Sequence, residues 1–269
     1  MSESAKVCIG GEWSDGGLGS YEIINPATEQ VVGLAPNCSV EQSIAATEAA
    51  REAFDSWSRT TPEHRANLLN AAADLYDARR DEFVPLVQAE TGATMRVAKT
   101  MQVPQVSARL RRYATGAMES RLIPLEPAIT GTTPLAPGGI MSAVVHRAPV
   151  GVVSCITSYN FPVTNMAGKI GPALAMGNTV IVKPAPQDPL AVIKLVELMH
   201  EAGFPPGVIN VMCGTDIAAS EALVSAPEVD MISFTGSTGV GQRIGEVGGS
   251  KMKRLLLELG GKGACIVFD

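Results

Sequence analysis

Four short segments carry side chains suited to chemistry. The first is Thr157-Ser158-Tyr159-Asn160-Phe161-Pro162, directly after an apolar, β-branched run. A carboxamide at a strand end can present its N–H groups to a developing oxyanion. An asparagine there can equally satisfy its own turn. The second is Lys183-Pro184, where proline fixes the exit and lysine either reaches phosphate and sugar hydroxyls or is an ordinary surface residue. The third is Phe234-Thr235-Gly236-Ser237-Thr238-Gly239-Val240-Gly241. Small residues opening a helix let free backbone N–H groups approach a phosphate, and the helix dipole favours the anion. The glycine spacing is not Gly-x-Gly-x-x-Gly, so a dinucleotide site and a mere tight turn both stand. The fourth is Leu257-Glu258-Leu259-Gly260-Gly261-Lys262. Desolvation in an apolar run would raise the Glu258 pKa and suit it to general-base work. It could also be the acid that follows a glycine loop by about 20 residues and binds a ribose. Spacing does not separate these two.

The five cysteines (8, 38, 155, 213 and 265) are odd in number, widely spaced and never arranged as Cys-x-x-Cys. That pattern indicates neither a zinc site nor a disulfide framework and fits a reducing, cytoplasmic compartment. Cys155 and Cys265 lie within apolar runs and read as core.

The elements that must position these groups begin at residue 150. Apolar runs at 151–156, 179–182, 208–212, 229–234, 254–257 and 265–268 alternate with helix-like segments at 163–175, 189–202, 216–225 and 238–247. Such strands imply a parallel sheet covered on both faces, with ligands at the carboxyl ends. The chain is therefore an α/β protein with a Rossmann-like sheet. Residues 1–125 form an N-terminal helical part and 149–269 the Rossmann-like part.

Residues before 120 read as helices. Ser39-Val40-Glu41-Gln42 is a capping-box pattern, Thr61-Pro62 opens a second helix, and a third around Asp81 to Glu90 ends at Gly92. A fourth runs from about Thr94 to Met118, kinked or restarted by Pro104. Arg109, Arg111 and Arg112 read as one solvated face. Residues 126–148 form two extended strands around a turn, either a projecting ribbon suited to subunit contact or a surface linker.

Composition bounds the rest. The 269 residues are enough for a self-sufficient core, and 46% hydrophobic against 18% charged residues excludes disorder. A net charge of −6 without a basic stripe argues against nucleic acid. No run of about 18 apolar residues exists to span a bilayer, and the first residues lack the apolar stretch of a signal peptide.

Taken together, the segments resemble the aldehyde dehydrogenase superfamily. They occur in that family's order: Pro149-x-Gly151, Asn160-Phe161-Pro162, Lys169-Ile170-Gly171-Pro172-Ala173-Leu174, Lys183-Pro184, Gly203-Phe204-Pro205-Pro206-Gly207, Phe234-Thr235-Gly236-Ser237-Thr238, and Leu257-Glu258-Leu259-Gly260-Gly261-Lys262. The resemblance implies an NAD or NADP cofactor and a cysteine nucleophile that attacks the aldehyde. Asn160 would hold the oxyanion, Glu258 would activate water to release the acid, and Lys169 would assist proton movement. Lys183 would bind ribose hydroxyls. Thr157, Tyr159, Gly236, Ser237 and Gly241 would complete the cofactor contacts. It also implies a homo-oligomer built through the ribbon.

Three departures follow. The family's Pro-Trp is Ser158-Tyr159 here. The position two residues after Pro184, often a ribose-gripping glutamate, is Pro186, which removes one barrier to a 2′-phosphate and predicts NADP use. The family's nucleophilic cysteine lies a few tens of residues beyond the glutamate, whereas the sequence reaches only Asp269, and none of its five cysteines stands in that context. The expectation is a truncated, non-acylating dehydrogenase that is inactive alone. The alternative is a non-catalytic dinucleotide-binding module or subunit.

Overall fold

A computed structural model describes residues 4–268. The segment 7–36, which shows little periodicity, forms four short strands rather than helix: β1 (Val7–Ile9), β2 (Glu12–Ser14), β3 (Ser20–Ile24) and β4 (Val31–Pro36). Helix α1 (Val40–Ser58) starts as its sequence dictates, with the Ser39 hydroxyl accepting from the Gln42 N–H in a closed capping box. Thr61 caps α2 (Pro62–Ala78) in the same way. Helix α3 (Arg80–Thr91) stops at Gly92, whose φ of 69° a side chain would strain. A single turn α4 (Met95–Val97) passes through a π-helical turn (Ala98–Gln102) into α5 (Val103–Ala117). The restart falls immediately before Pro104, which has no N–H to continue the ladder.

Of the three α5 arginines expected to form a solvated face, only Arg112 is exposed; the other two find partners. Arg111 bridges Asp74 and Asp77 of α2 at 2.7 Å each, and Arg109 donates to the Thr164 carbonyl at 2.9 Å.

Beyond α5, β5 (Leu122–Pro124) pairs with β8 (Val144–His146), and β6 (Ala128–Thr130) with β7 (Gly139–Met141), both antiparallel. This two-part ribbon is exposed along its length, with Ile129 at 90% and Ile140 at 77% of full exposure.

The remaining elements alternate: β9 (Val152–Ile156), α6 (Pro162–Ala175), β10 (Thr179–Lys183), α7 (Leu190–Glu201), β11 (Ile209–Val211), α8 (Ile217–Ser225), β12 (Met231–Gly236), α9 (Thr238–Ser250) and β13 (Arg254–Leu259). The sheet order is β13-β12-β9-β10-β11-β1-β2. Its first five strands are parallel, while β1 and β2 extend the edge antiparallel. The all-parallel expectation is thus corrected at that edge. The expected strand at 265–268 is absent, and Cys265 is exposed rather than core. Among the described residues it finds no strand to pair with.

Alternation along the strands divides the core. Val153 and Cys155 of β9 pack with Ile170 of α6, whereas Val152 joins Ile232, Phe234 and Ile244 on the face covered by α8 and α9. The chain runs outward through β9, β10 and β11, then returns to place β12 on the other side of β9. That reversal opens a crevice at the carboxyl ends of the two strands, the usual ligand position in such sheets.

Candidate functional site

A cavity of about 530 Å³ occupies this crevice. Thr157 and Tyr159 enter it after β9, Lys183 to Gln187 from the end of β10, and Phe234 to Ser237 from the end of β12; α8 and α9 form the outer wall. Five of the six expected cofactor residues (Thr157, Tyr159, Lys183, Gly236 and Ser237) therefore meet in one space. The sixth does not. Gly241 lies inside α9, where a Cβ would come within 2.3 Å of Leu259 Cδ2, so it lets the helix approach β13.

Ser237 is the N-cap of α9, its hydroxyl accepting from the Val240 N–H at 3.4 Å. The first amides of the helix have no intrahelical acceptor and suit an anion. Thr157 Oγ1 is buried without a hydrogen-bond partner, a polar group that a ligand could satisfy. Lys183 is only 8% exposed, which removes the surface-lysine reading. Burial lowers its pKa, opposed by the nearby thiols of Cys213 and Cys38. Sequence reasoning missed the apolar wall: Ile217 and Val240 stay 77% and 51% exposed while lining the cavity. Their only sequence signal is apolar residues in the first turns of α8 and α9.

A second cleft of about 400 Å³ lies against the opposite face of the sheet, lined by Arg109, Asn165, Lys169, Ser233 and Leu256. Lys169 Nζ donates to Ser233 Oγ at 3.1 Å. Burial lowers the Lys169 pKa, and the charges of Cys155 and Glu258 pull the other way. Leu257 and Leu259 pack toward the α9 face, so strand alternation turns Glu258 to the face of Lys169. Glu258 is exposed on edge strand β13, so the desolvation expected from its apolar neighbours does not occur. Those leucines cover one face only, and the other is open. Asn160 is also exposed, and its Oδ1 accepts from Ser158 Oγ at 2.8 Å. The self-satisfied turn is therefore present, and it engages only the oxygen.

Among the described residues, no group of three or more His, Cys, Asp or Glu is placed to hold a metal ion. No described helix is long and apolar enough to cross a membrane.

Fold and crevice together define an α/β protein with a ligand cavity at its topological switch point. The chain belongs to the aldehyde dehydrogenase family, whose family model matches residues 13–269. It is 39% identical over 252 residues to human (Homo sapiens) 2-aminomuconic semialdehyde dehydrogenase, covering 94% of this chain and 49% of that protein. It is 40% identical over 274 residues to phenylacetaldehyde dehydrogenase of Pseudomonas fluorescens, covering 98% and 52%. Among solved structures, an aldehyde dehydrogenase from Pseudomonas syringae in complex with NAD+ and octanal superposes with a TM-score of 0.86 at 33% identity, covering 96% of this chain and 50% of that one. An NADP-dependent enzyme from E. coli gives 0.87 at 32%, covering 96% and 52%. The chain spans about half the length of the relatives it matches.

Proposed function

We propose that this chain supplies the NAD(P)-binding part of a non-acylating aldehyde dehydrogenase, which oxidises an aldehyde to a carboxylic acid. One observation carries the reading: the switch-point cavity joins a buried lysine, an orphaned threonine hydroxyl and the open N-terminus of α9. A dinucleotide fits that donor set, with its pyrophosphate at Ser237 and the α9 amides. Lys183 would donate to ribose hydroxyls, and Ile217 and Val240 would offer the adenine an apolar wall. When bound, the nicotinamide accepts hydride from the substrate.

The chain's own residues handle the proton and the charge. Asn160 offers Nδ2 to the substrate oxyanion, because its oxygen is held by Ser158. Glu258 takes a proton from attacking water. Lys169, half-desolvated and within the field of Glu258, moves protons on the same face of the sheet. The nucleophilic cysteine is assigned to none of the five here. Four are buried, and burial raises the pKa of Cys8, Cys38, Cys155 and Cys213, the reverse of an activated thiolate. Cys265 is exposed, and among the described residues no basic side chain hydrogen-bonds to it. By itself the chain should bind dinucleotide without turnover. We place it in a reducing cytoplasm and assign its boundaries at 125/126 and 148/149, with a homo-oligomer formed through the apolar ribbon.

Calorimetric titration of the purified chain with NAD+ and NADP+ tests the reading. Saturable binding that weakens in Lys183→Ala supports it. No binding at millimolar cofactor, or equal binding in that variant, overturns it. The second reading, a non-catalytic binding subunit, predicts that adding the nucleophile-bearing half that the family resemblance implies restores no activity.

A further inference from the structure

Two arginines meet at the carboxyl end of α6, and neither lines the two clefts described above. Arg65 of α2 is completely buried. Its Nε donates to the Ala175 carbonyl at 2.9 Å, and one terminal nitrogen donates to the Thr60 carbonyl and hydroxyl. Arg121, which begins the ribbon, donates to the next carbonyl, that of Met176, at 3.2 Å. Two guanidinium groups thus grip successive carbonyls of one helix end. Each keeps a buried nitrogen with no acceptor: Nη2 of Arg65 and Nε of Arg121. Among the described residues neither arginine forms an ion pair with a carboxylate. The Arg65 pKa is pushed down to about 10 by burial and by the Arg121 charge.

Carbonyls and the helix dipole satisfy some of these donors, but they offset only about half an elementary charge. A fully buried guanidinium beside a half-buried one, each with a spare buried N–H and no carboxylate partner among the described residues, is costly. A water molecule would accept the hydrogen bonds and leave the charge. A small anion answers both needs, since guanidinium N–H groups suit halides and oxyanions.

We propose that the junction of α2, the α6 carboxyl end and the ribbon root is a binding site for a small inorganic anion of chloride size, held between Arg65 Nη2 and Arg121 Nε. The anion ties the root of the ribbon, where the Arg147 N–H donates to the Arg121 carbonyl at 2.9 Å, to the helical layer beneath.

Thermal unfolding of the chain in sodium chloride or bromide, against sodium gluconate at equal ionic strength, reads the site. The expected result is a saturable rise of about 2–4 °C in Tm with halide. It is lost in Arg121→Gln and partly kept in Arg121→Lys, while Arg112→Gln, on the exposed face of α5, behaves as the parent. An anomalous bromide peak between Arg65 and Arg121 locates the ion. Equal halide response in parent and Arg121→Gln overturns the proposal. So does a bromide peak without a Tm response, an adventitious ion only, or an ordered water that bromide does not replace.

Discussion

The Ser158 hydroxyl donates a hydrogen bond to Asn160 Oδ1 at 2.8 Å. It fixes which end of the carboxamide faces outward. With the oxygen engaged, the donor end is the one free to meet an oxyanion in the mechanism proposed above. In the aldehyde-oxidising form of the protein, Asn160→Ala should lower kcat about 10²–10³-fold, the cost of one oxyanion donor elsewhere. Ser158→Ala should cost less, with dinucleotide affinity unchanged in both. Steady-state kinetics at saturating cofactor measures this; an unaltered kcat in Asn160→Ala would remove the residue from the mechanism.

Lys183 is buried at the cavity mouth with its charge disfavoured by desolvation, so ligand hydroxyls should gain strongly from it. Lys183→Ala should weaken dinucleotide binding about 10–100-fold, the range for hydrogen bonds to charged groups. Titration calorimetry reads the constant, and circular dichroism confirms that the fold persists.

Pro186 lines the same cavity and brings no carboxylate. Pro186→Glu would set a negative charge near a 2′-phosphate and should shift the ratio of NADP+ to NAD+ affinity toward NAD+ by at least about tenfold. Comparing the two dissociation constants in parent and variant decides it. A parent that already excludes NADP+ would show that Pro186 does not govern the choice.

Glu90 and Asp188 are buried carboxyls beside the β10–α7 turn. Glu90 accepts from the Leu190 and Ala191 amides at 2.9 and 3.0 Å, while Asp188 Oδ1 has no partner. Burial pushes Glu90 up from 4.5 to about 8; burial and then the Glu90 charge push Asp188 up from 3.8 to about 9. Both folded values lie above the unfolded ones, so the native state binds more protons between them. Stability is therefore full below about pH 4 for these two groups and falls as pH rises toward about 9. Asp188→Asn should flatten this slope and make the chain more stable than the parent at pH 9. Urea unfolding across pH 5–9 tests it, and parallel slopes would refute the assignment.

Gly241 has no room for a methyl group against Leu259. Gly241→Ala should destabilise the chain by about 1–3 kcal/mol, the usual cost of overpacking. Bound dinucleotide should recover part of that loss. Denaturant unfolding with and without NAD+ separates packing from contact, because a direct cofactor role would abolish the recovery.

Much of this was legible in the residues. Ser39 and Thr61 cap their helices because the capping hydroxyl and amide are three residues apart, and α6 to α9 follow apolar periodicity. Phe234 to Ser237 and Lys183 could be placed at strand ends because strand–helix alternation fixes where a parallel strand stops. These are local rules, readable in one stretch of chain. Tertiary structure decided the rest. The short strands β1 and β2 gain their place from pairing with β11 and each other, which no local pattern records. Lys183 has Cys38 and Cys213 as neighbours, which reach it from distant segments. The openness of Glu258 depends on what lies across β13, although its own neighbours are leucines. The pairing of Arg65 with Arg121 arises only where α2, α6 and the ribbon converge. Sequence spacing sets which side chains a strand or helix can present. Whether a group is desolvated or partnered is set by segments that reach it through space.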